Sequence, residues 1–348
     1  MVSIADDGGS SGRIRSAIGG PAPGDLRRCF EALGDGSMLT AEMGWRFSGG
    51  ELDGHALGNL LIAGLIAASD DLVSALDEIC RLVGAVGRVL PATSIPVDLV
   101  ADTGEWEVEG QVAVHRASGV VGLRLDPSDA AAPPDTVAAI ESADQIVLGP
   151  GSFFTSVLAA TLSDDVRVAL GRRAGPLVLV ANLTRDREGP MDLADHVHFL
   201  DQHGVLPDVV LMDERSGRTA PTGVEVVKAP MAGRDGRVHD PVLLERPWRL
   251  VTGTCDPFPC RKAWSGTRHR LGMQGLVIHR SVASGRGSQF GRRPATGGIN
   301  SNDRPCGHQW IRSNRPQLLP GRQGQGSGSG VRRCERSWVH RHHGVSAG

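Results

Sequence analysis

An apolar strand, a glycine-containing loop and the start of a helix follow one another over residues 146–156, Ile-Val-Leu-Gly-Pro-Gly-Ser-Phe-Phe-Thr-Ser. Ligands in open parallel sheets bind beyond the carboxyl ends of the strands, and the unpaired N–H groups at a helix start suit a phosphate. The pattern therefore predicts a phosphate-binding turn, with contacts from Gly149, Gly151, Ser152, Thr155 and Ser156. The alternative is an ordinary strand-to-helix turn in which Thr155 is only the N-cap.

A second candidate loop, Ala-Asp-Asp-Gly-Gly-Ser-Ser-Gly-Arg, covers residues 5–13. Adjacent carboxylates at a strand end can hold Mg²⁺ through water or accept ribose hydroxyls, and an arginine can pair with a phosphate. Asp6 and Asp7 are therefore the candidate Mg²⁺ ligands. The predicted ligand contacts of this loop are Asp6, Asp7, Gly8, Gly9, Ser10, Ser11 and Arg13. A flexible polar loop would explain the same composition.

A third candidate is the pair His55 and Asn59 in the mostly apolar segment 55–68, which predicts a buried helix. The two residues are one turn apart and share a face, and asparagine has poor helix propensity. Such a pair is expected to point into a site, although a core histidine with satisfied hydrogen bonds would fit equally well. Asp25, in Pro-Gly-Asp-Leu-Arg, is a weaker candidate because it can be merely an N-cap. No nucleophile–base pair is apparent in these motifs.

The elements that position these residues alternate between strand and helix. Short apolar strands are predicted at 2–5, 145–148, 177–181, 208–212 and 224–227, with helices at 72–83, 135–142, from 155, and at 192–202. Residues 88–125 are β-rich, include a predicted strand at 111–114, and indicate a small antiparallel insertion. Strands separated by helices predict an α/β fold with a mainly parallel sheet and helices on both faces.

The charge distribution divides the chain near residue 246. Residues 1–246 contain 20 basic and 36 acidic side chains, whereas residues 247–348 contain 17 and 3. Residues 246–348 show no sustained period of a strand or helix, and cysteines 255, 260, 306 and 334 lack paired metal spacing. We therefore predict one domain over 1–245 and a disordered tail of out-of-frame origin that adds nothing to the fold. A basic nucleic-acid tail and a zinc module are the alternatives.

The sequence indicates a cytoplasmic protein. The start has no basic and apolar signal region, and the longest mostly apolar run, 56–68, is too short to span a bilayer. Neither a membrane span nor specific nucleic-acid binding is expected. Cys29 and Cys80 lie in apolar helical patterns and are interpreted as buried free thiols.

Taken together, the motifs resemble the gluconeogenesis factor family of YvcK-like proteins, which is related to the CofD phospholactate transferases. The resemblance rests on 5–13, 23–27, Gly-His-Ala-Leu-Gly-Asn-Leu-Leu at 54–61, and 148–156. Asn182, after the strand at 177–181, also fits and is counted with the ligand contacts. The family's first strand and glycine-rich loop precede the position of Met1, so a late start or a truncated, non-functional chain is also considered. At the other end, the family's helix beginning at His-Asp breaks off.

The resemblance implies a Rossmann-like fold and a bacterial cytoplasmic protein that binds a nucleotide ligand such as a UDP-sugar. It also implies roles in carbon-source-dependent growth and in cell-shape or cell-wall maintenance, and it leaves open a homo-oligomer. We expect a nucleotide-binding regulator rather than a turnover enzyme. The alternative is a Mg²⁺-dependent CofD-like phospholactyl transferase.

Overall fold

The computed structural model describes residues 1–185, 192–240, 242–244, 247 and 251, and the backbone of 276–279. All of them belong to one unit, Met1–Ser284. The remaining tail residues, the tail's four cysteines among them, lie outside the described residues.

Helices dominate the first part of the chain, and strands and helices alternate after residue 97. The α-helices are α1 (Gly9–Ile18), α2 (Pro23–Leu33), α3 (Met38–Glu42), α4 (Leu57–Ala67), α5 (Leu72–Leu82), α6 (Gln111–Arg116), α7 (Pro134–Glu141), α8 (Asp164–Gly171) and α9 (Leu193–Gln202). A π-helix (Phe153–Leu158) and a 3₁₀ turn (Ala159–Thr161) precede α8. The strands are β1 (Asp98–Asp102), β2 (Glu107–Glu109), β3 (Gly122–Asp126), β4 (Gln145–Leu148), β5 (Leu177–Val180), β6 (Val209–Asp213), β7 (Glu225–Ala229) and β8 (Leu276–His279).

The central sheet has the strand order β7-β6-β5-β4-β8. Strands β4 to β7 are parallel, and β8 joins the β4 edge in the antiparallel sense. Every residue of β4, β5 and β6 is buried, which explains their nearly continuous apolar sequences, because a covered parallel sheet has no solvent face. The predicted α/β class with a mainly parallel sheet is confirmed.

The two faces of the sheet contribute to two separate apolar clusters. Ile146, Leu179 and Val210 face the large core formed with the helices. The next residues along the same strands face a smaller cluster that also contains Met231, Leu244 and the half-buried Val251. This division follows from the two-residue side-chain period of a strand.

Helices α1, α2 and α4 pack together and carry the first half of the candidate site. Helix α2 starts with Pro23 in its first turn, where the missing N–H is harmless. Helix α5 is capped by Asp71, which accepts a hydrogen bond from Ser74 N at 2.7 Å. Helix α9 carries a reciprocal cap between Asp192 and Asp195. These caps explain why the predicted helix boundaries are close to the observed ones.

The β-rich insertion is confirmed as a three-stranded antiparallel sheet in the order β2-β1-β3. The predicted strand at 111–114 is wrong, because these residues form the first part of α6. Gly110 precedes α6 with φ 96°, a backbone conformation that glycine adopts without strain. The turn at Gly110 redirects the chain after β2 and allows the helix to start.

Two further predictions need correction. Residues 2–5 do not form a strand of either sheet. Val2 instead makes a single parallel bridge to Pro91, donating from its N to Leu90 O at 2.9 Å. The prediction that nothing after residue 246 adds to the fold is also wrong, because Val251 packs on the sheet and β8 pairs with β4. Strand β8 lies in a stretch with no sustained strand or helix period on either side, so its sequence did not stand out from its surroundings.

Both cysteines of the described part are free thiols, as predicted, with Cys80 buried and Cys29 half-buried. Burial raises the pKa of Cys29 to about 11 and also raises that of Cys80, so both are protonated at neutral pH. No helix in the described residues has both the length and the apolar character needed to cross a bilayer.

Candidate functional site

Asp6 and Asp7 lie in the turn that leads into α1, and each carboxylate accepts a backbone N–H. Asp6 Oδ1 accepts from Gly8 N at 2.9 Å, and Asp7 Oδ1 accepts from Val112 N at 2.8 Å. Asp7 therefore attaches the first turn of α6 to this loop. The N-cap of α1 is Gly8, which offers no side-chain acceptor to the first N–H groups of the helix.

The starts of α1 and α2 are packed against each other at Gly24. A Cβ at this position would lie 2.3 Å from Asp6 Oδ2 and 2.4 Å from Ser11 Oγ, so only glycine fits. Asp25 follows at 2% exposure and pairs with Arg28 on its own helix. Burial raises the pKa of Asp25 to about 6 against the opposing effect of Arg28, and the nearby Asp6 carboxylate raises it further. The N-cap of α2 is Ala22, so Asp25 lies within the first turn and the interpretation of Asp25 as an N-cap is wrong.

His55 lies two residues before α4 and not inside the helix as predicted, and Asn59 is in the first turn of α4; both nevertheless contact Ser10 of α1. Ser10 Oγ lies 3.1 Å from His55 Nδ1, and Asn59 Nδ2 donates to the same oxygen at 3.0 Å. The predicted residue Arg13 donates from Nε to His55 Nε2 at 3.2 Å. Arg27, which belongs to the 23–27 motif but was not among the predicted ligand contacts, donates from Nε to Asn59 Oδ1 at 3.0 Å. Three separated segments thus form one hydrogen-bond network.

The direction of the Ser10–His55 hydrogen bond is fixed by Arg13. A guanidinium only donates, so His55 Nε2 must be the unprotonated nitrogen and Nδ1 carries the proton. Burial, and then the charges of Arg13 and Arg46, lower the pKa of His55, which favours this neutral form. Ser10 therefore accepts from His55 and is not activated as a nucleophile by it.

The glycine-containing loop after β4 is held to the end of β5 by the predicted residue Asn182. Gly151 N donates to Asn182 Oδ1 at 3.1 Å, and Asn182 Nδ2 donates to Gly151 O at 2.7 Å. Gly149 has φ 72°, which favours glycine at this turn. The following helix, predicted as α, is a π-helix in which Thr155 and Ser156 are buried. Short π-helical segments are frequent at functional sites.

Gln111 of α6 connects the two halves of the candidate site. Its Nε2 donates to Thr155 O in the π-helix at 3.1 Å, and its side chain also makes a hydrogen bond with Asp25 that lowers the carboxyl pKa. Sequence reasoning missed Gln111 because it precedes Val-Ala-Val in a stretch that resembled a strand. The only local signal was the glycine before it.

Further polar residues lie at the carboxyl edge of the sheet, beyond β5 and β6. Arg218 donates from NH1 to Asn182 O at 3.2 Å and faces Asp192. His196 stacks on Phe153 at 4.1 Å between ring centroids, and its burial lowers its pKa to about 4. Asp213 accepts three backbone N–H groups, from Arg215, Met231 and Ala232. These contacts fix the loops that surround the site.

The expectation of Mg²⁺ at Asp6 and Asp7 stays a prediction. Within the described ranges, no three side chains among His, Cys, Asp and Glu converge as a ready-made metal cluster. Each of the two carboxylates has one oxygen engaged by a backbone N–H, which leaves the second oxygen of each. Mg²⁺ commonly keeps several waters and takes only one or two carboxylates, so the residues present fit such a mode.

Comparison with known proteins places this arrangement in a family. A family model described as 2-phospho-L-lactate transferase CofD matches residues 1–229. A relative from Deinococcus radiodurans, which bears the provisional name of gluconeogenesis factor, is 36% identical over 295 residues. This match covers 79% of the chain. Residues 1–245 are a smaller share of the chain than that, so the match extends beyond residue 245. A relative of the same name from Mycobacterium tuberculosis is 38% identical over 234 residues and 62% of this chain. The chain spans 62% of the length of the Deinococcus relative and 68% of the mycobacterial one.

The fold is also similar to solved structures. Two crystal structures of a protein from Bacillus halodurans, one of them described as a member of the UPF0052 family, superpose with TM-scores of 0.61 and 0.62 at 28% identity. The similarity covers 67% and 68% of this chain and 84% and 86% of those chains. From the family model, the relatives and the fold, we conclude that the chain belongs to the CofD family, among the members that bear the name gluconeogenesis factor.

Proposed function

We propose that residues 1–245 bind a nucleotide of the UDP-sugar type and that the protein acts as a regulator rather than as a turnover enzyme. The observation that carries this proposal is the concentration of donors at the start of α1. The first turn has no side-chain cap, Ser10 lies within it, and Arg13 follows one turn further along the helix. Uncapped N–H groups and a guanidinium are the chemistry that binds phosphate oxygens.

The second half of the proposed site is the turn after β4. Gly149 to Ser156 lie at the carboxyl edge of the sheet, where ligands of parallel α/β folds bind. Gln111 and Asn182 hold this turn, so its donors are preorganised. Preorganised donors support a binding role because little ordering is needed when the ligand arrives.

The polarity of the hydrogen bonds around Ser10, within the part of the chain that the structure describes, supports regulation over turnover. The one hydroxyl–imidazole contact described in the network has the wrong polarity for a general base, since His55 donates to Ser10 and Arg13 occupies its other nitrogen. Catalysis by a serine would need the imidazole to accept the hydroxyl proton. A binding site needs no such proton transfer.

We also propose that Asp6 and Asp7 hold Mg²⁺ through water when the nucleotide binds. The ion would neutralise phosphate charge beside the two carboxylates. The name of its relatives supports the further proposal that the protein is needed for growth on gluconeogenic carbon sources. The family resemblance adds cell-shape maintenance, a cytoplasmic location and a homo-oligomeric state to this proposal. Deleting the gene and comparing growth and cell shape on glucose and on a gluconeogenic substrate tests the physiological part.

The alternative is a CofD-like transferase, which the description of the matching family model and the buried Asp25 beside Asp6 favour. A carboxyl with a pKa near 6 can exchange a proton near neutral pH. The full chain is assayed with UDP-sugars for binding, and with a phospholactyl-nucleotide plus a deazaflavin acceptor for turnover. Formation of the phospholactylated deazaflavin would overturn the regulatory proposal.

The turn itself is tested by removing two hydroxyls. Ser152→Ala with Thr155→Ala is expected to weaken UDP-sugar binding by about 1–3 kcal/mol, as for lost hydrogen bonds to a charged group. The exposed residues Ser118 and Thr222, both changed to alanine, provide a matched control that should bind normally. Unchanged affinity in a folded Ser152/Thr155 variant would favour the plain turn.

A further inference from the structure

The network around Ser10 has donor-only groups at both of its ends. Arg13 terminates one branch at His55 Nε2, and Arg27 terminates the other at Asn59 Oδ1. A guanidinium has no acceptor, so each arginine sets the direction of every hydrogen bond that follows it. Arg13 forces His55 Nδ1 to donate, and Arg27 forces the Asn59 amide to present its nitrogen to Ser10.

Both branches converge on the same hydroxyl oxygen. Ser10 Oγ receives the His55 Nδ1 proton at 3.1 Å and the Asn59 Nδ2 proton at 3.0 Å. A hydroxyl has two acceptor lone pairs and one proton, so its accepting capacity is used in full. Ser10 is 6% exposed, and among the residues that the structure describes no acceptor is recorded for its own proton.

We propose that Ser10 is the specificity-determining donor of this site, held with its hydroxyl proton directed at a phosphoryl oxygen, and that Arg13 and Arg27 impose this direction through His55 and Asn59. The inference rests on the proposed nucleotide binding and deepens it. His55 and Asn59 become positioning residues instead of ligand contacts, and Arg27 joins the site. The site therefore selects a ligand oxygen that can accept a hydrogen bond. A ligand group that donates is not bound, because both lone pairs of Ser10 Oγ are already used by His55 and Asn59.

One nearly isosteric substitution, Asn59→Asp, is expected to reverse the direction of the hydrogen bond between residue 59 and Ser10. In Asn59→Asp, the carboxylate still accepts from Arg27, but its second oxygen can only accept, so the Ser10 proton turns toward it and away from the ligand. We expect Ser10→Ala and Asn59→Asp each to weaken UDP-glucose binding about 10- to 100-fold, the range for a hydrogen bond to a charged group. Binding is measured by calorimetry on the full chain, with thermal unfolding as the check on folding.

The double variant separates this mechanism from plain charge repulsion. In the Ser10→Ala background, Asn59→Asp should change UDP-glucose affinity less than about threefold, since coupled residues are not additive. An equal loss in both backgrounds would overturn the inference and leave the proposed function intact. A wild-type chain that does not bind UDP-glucose would instead overturn the proposed function.

A spectroscopic readout tests the network without any ligand. In the chain labelled with ¹⁵N-histidine, the ring nitrogens of His55 should show the tautomer protonated at Nδ1, identified as the signals lost in His55→Asn. A tautomer protonated at Nε2 would overturn the inference whatever the binding data show. His55→Asn can place an amide nitrogen near the Nδ1 position, so it should retain more affinity for UDP-glucose than His55→Leu, which supplies no donor.

Discussion

Asp25 is a carboxylic acid buried at the start of α2, and we expect Asp25→Asn to stabilise the fold at neutral pH. Burial raises the pKa of Asp25 from 3.8 to about 6. The folded pKa is therefore above the unfolded one, so the protonated form is favoured by folding. The associated stability is fully present below the unfolded pKa and is lost as pH rises through about 6.

The size of the effect follows from the difference in pKa. About two pKa units at about 1.4 kcal/mol each correspond to a loss of roughly 3 kcal/mol between pH 4 and pH 7. An asparagine does not ionise and avoids this loss. The free energy of unfolding of Asp25→Asn relative to wild type should therefore rise by up to about 3 kcal/mol over the same range.

Urea unfolding of both proteins at pH 4.5 and pH 7.5 measures this difference. Asp35→Asn is the control of opposite sign, because hydrogen bonds from Ser37 lower the pKa of the exposed Asp35. That control should lose stability at neutral pH, and because the pKa of Asp35 is lowered from 3.8, the deficit should stay nearly constant between the two pH values and shrink only in stronger acid. The reasoning would be refuted if Asp25→Asn stabilised the protein equally at both pH values. It would also be refuted if Asp25→Asn were less stable than wild type by an amount that grows with pH.

Three further changes test the packing around the site. Gly24→Ala should destabilise the protein by about 1–3 kcal/mol through overpacking against Asp6. Gly64→Ala in α4, where a Cβ meets nothing within 4 Å, should instead stabilise it by about 0.5–1 kcal/mol. Thermal unfolding compares the two variants, and equal effects would contradict the close contact between Gly24 and Asp6. Asp213→Asn removes the negative charge that accepts three backbone N–H groups, so the free energy of unfolding should fall by about 1–3 kcal/mol. This deficit should shrink in acid, because the hydrogen bonds lower the pKa of the Asp213 carboxyl against the opposing effect of burial. Gln111→Leu should loosen the π-helix, visible as faster amide exchange at 153–158, and unchanged exchange would show that Gln111 does not secure it.

The sequence predicts the sheet well because its signals are local. Residues 146–148 and 177–180 are continuous apolar runs, and both lie in buried strands. The segment 111–114 is mispredicted for the converse reason. Its valines favour a strand, but the turn at Gly110 and the Asp7 carboxylate on Val112 N allow a helix to start there. Long-range partners overrode local propensity at this point.

The site is predictable only as separate motifs. The closeness of His55 and Asn59 in the chain indicated that they act together, although His55 lies before α4 and not on a face of it. Their common partner Ser10 lies more than forty residues earlier. Arg27 belongs to the 23–27 motif, but nothing in that motif indicates its contact with Asn59, and Gln111 has no motif of its own. Nothing in their spacing indicates that two arginines direct one hydroxyl or that one amide joins α2 to the π-helix. These facts depend on tertiary packing, which the periodicity of the chain does not encode.

Strand β8 has a consequence for the behaviour of shortened forms of the chain. It pairs with β4 over four residues, from Gln145 opposite His279 to Leu148 opposite Leu276. Without this cover, the outer edge of the buried strand β4 would present a row of unpaired backbone groups. Such an edge is a template for strand addition by another chain. A version ending near residue 245 would therefore tend to self-associate through β4, and its solubility would fall even though it contains every residue of the proposed nucleotide site.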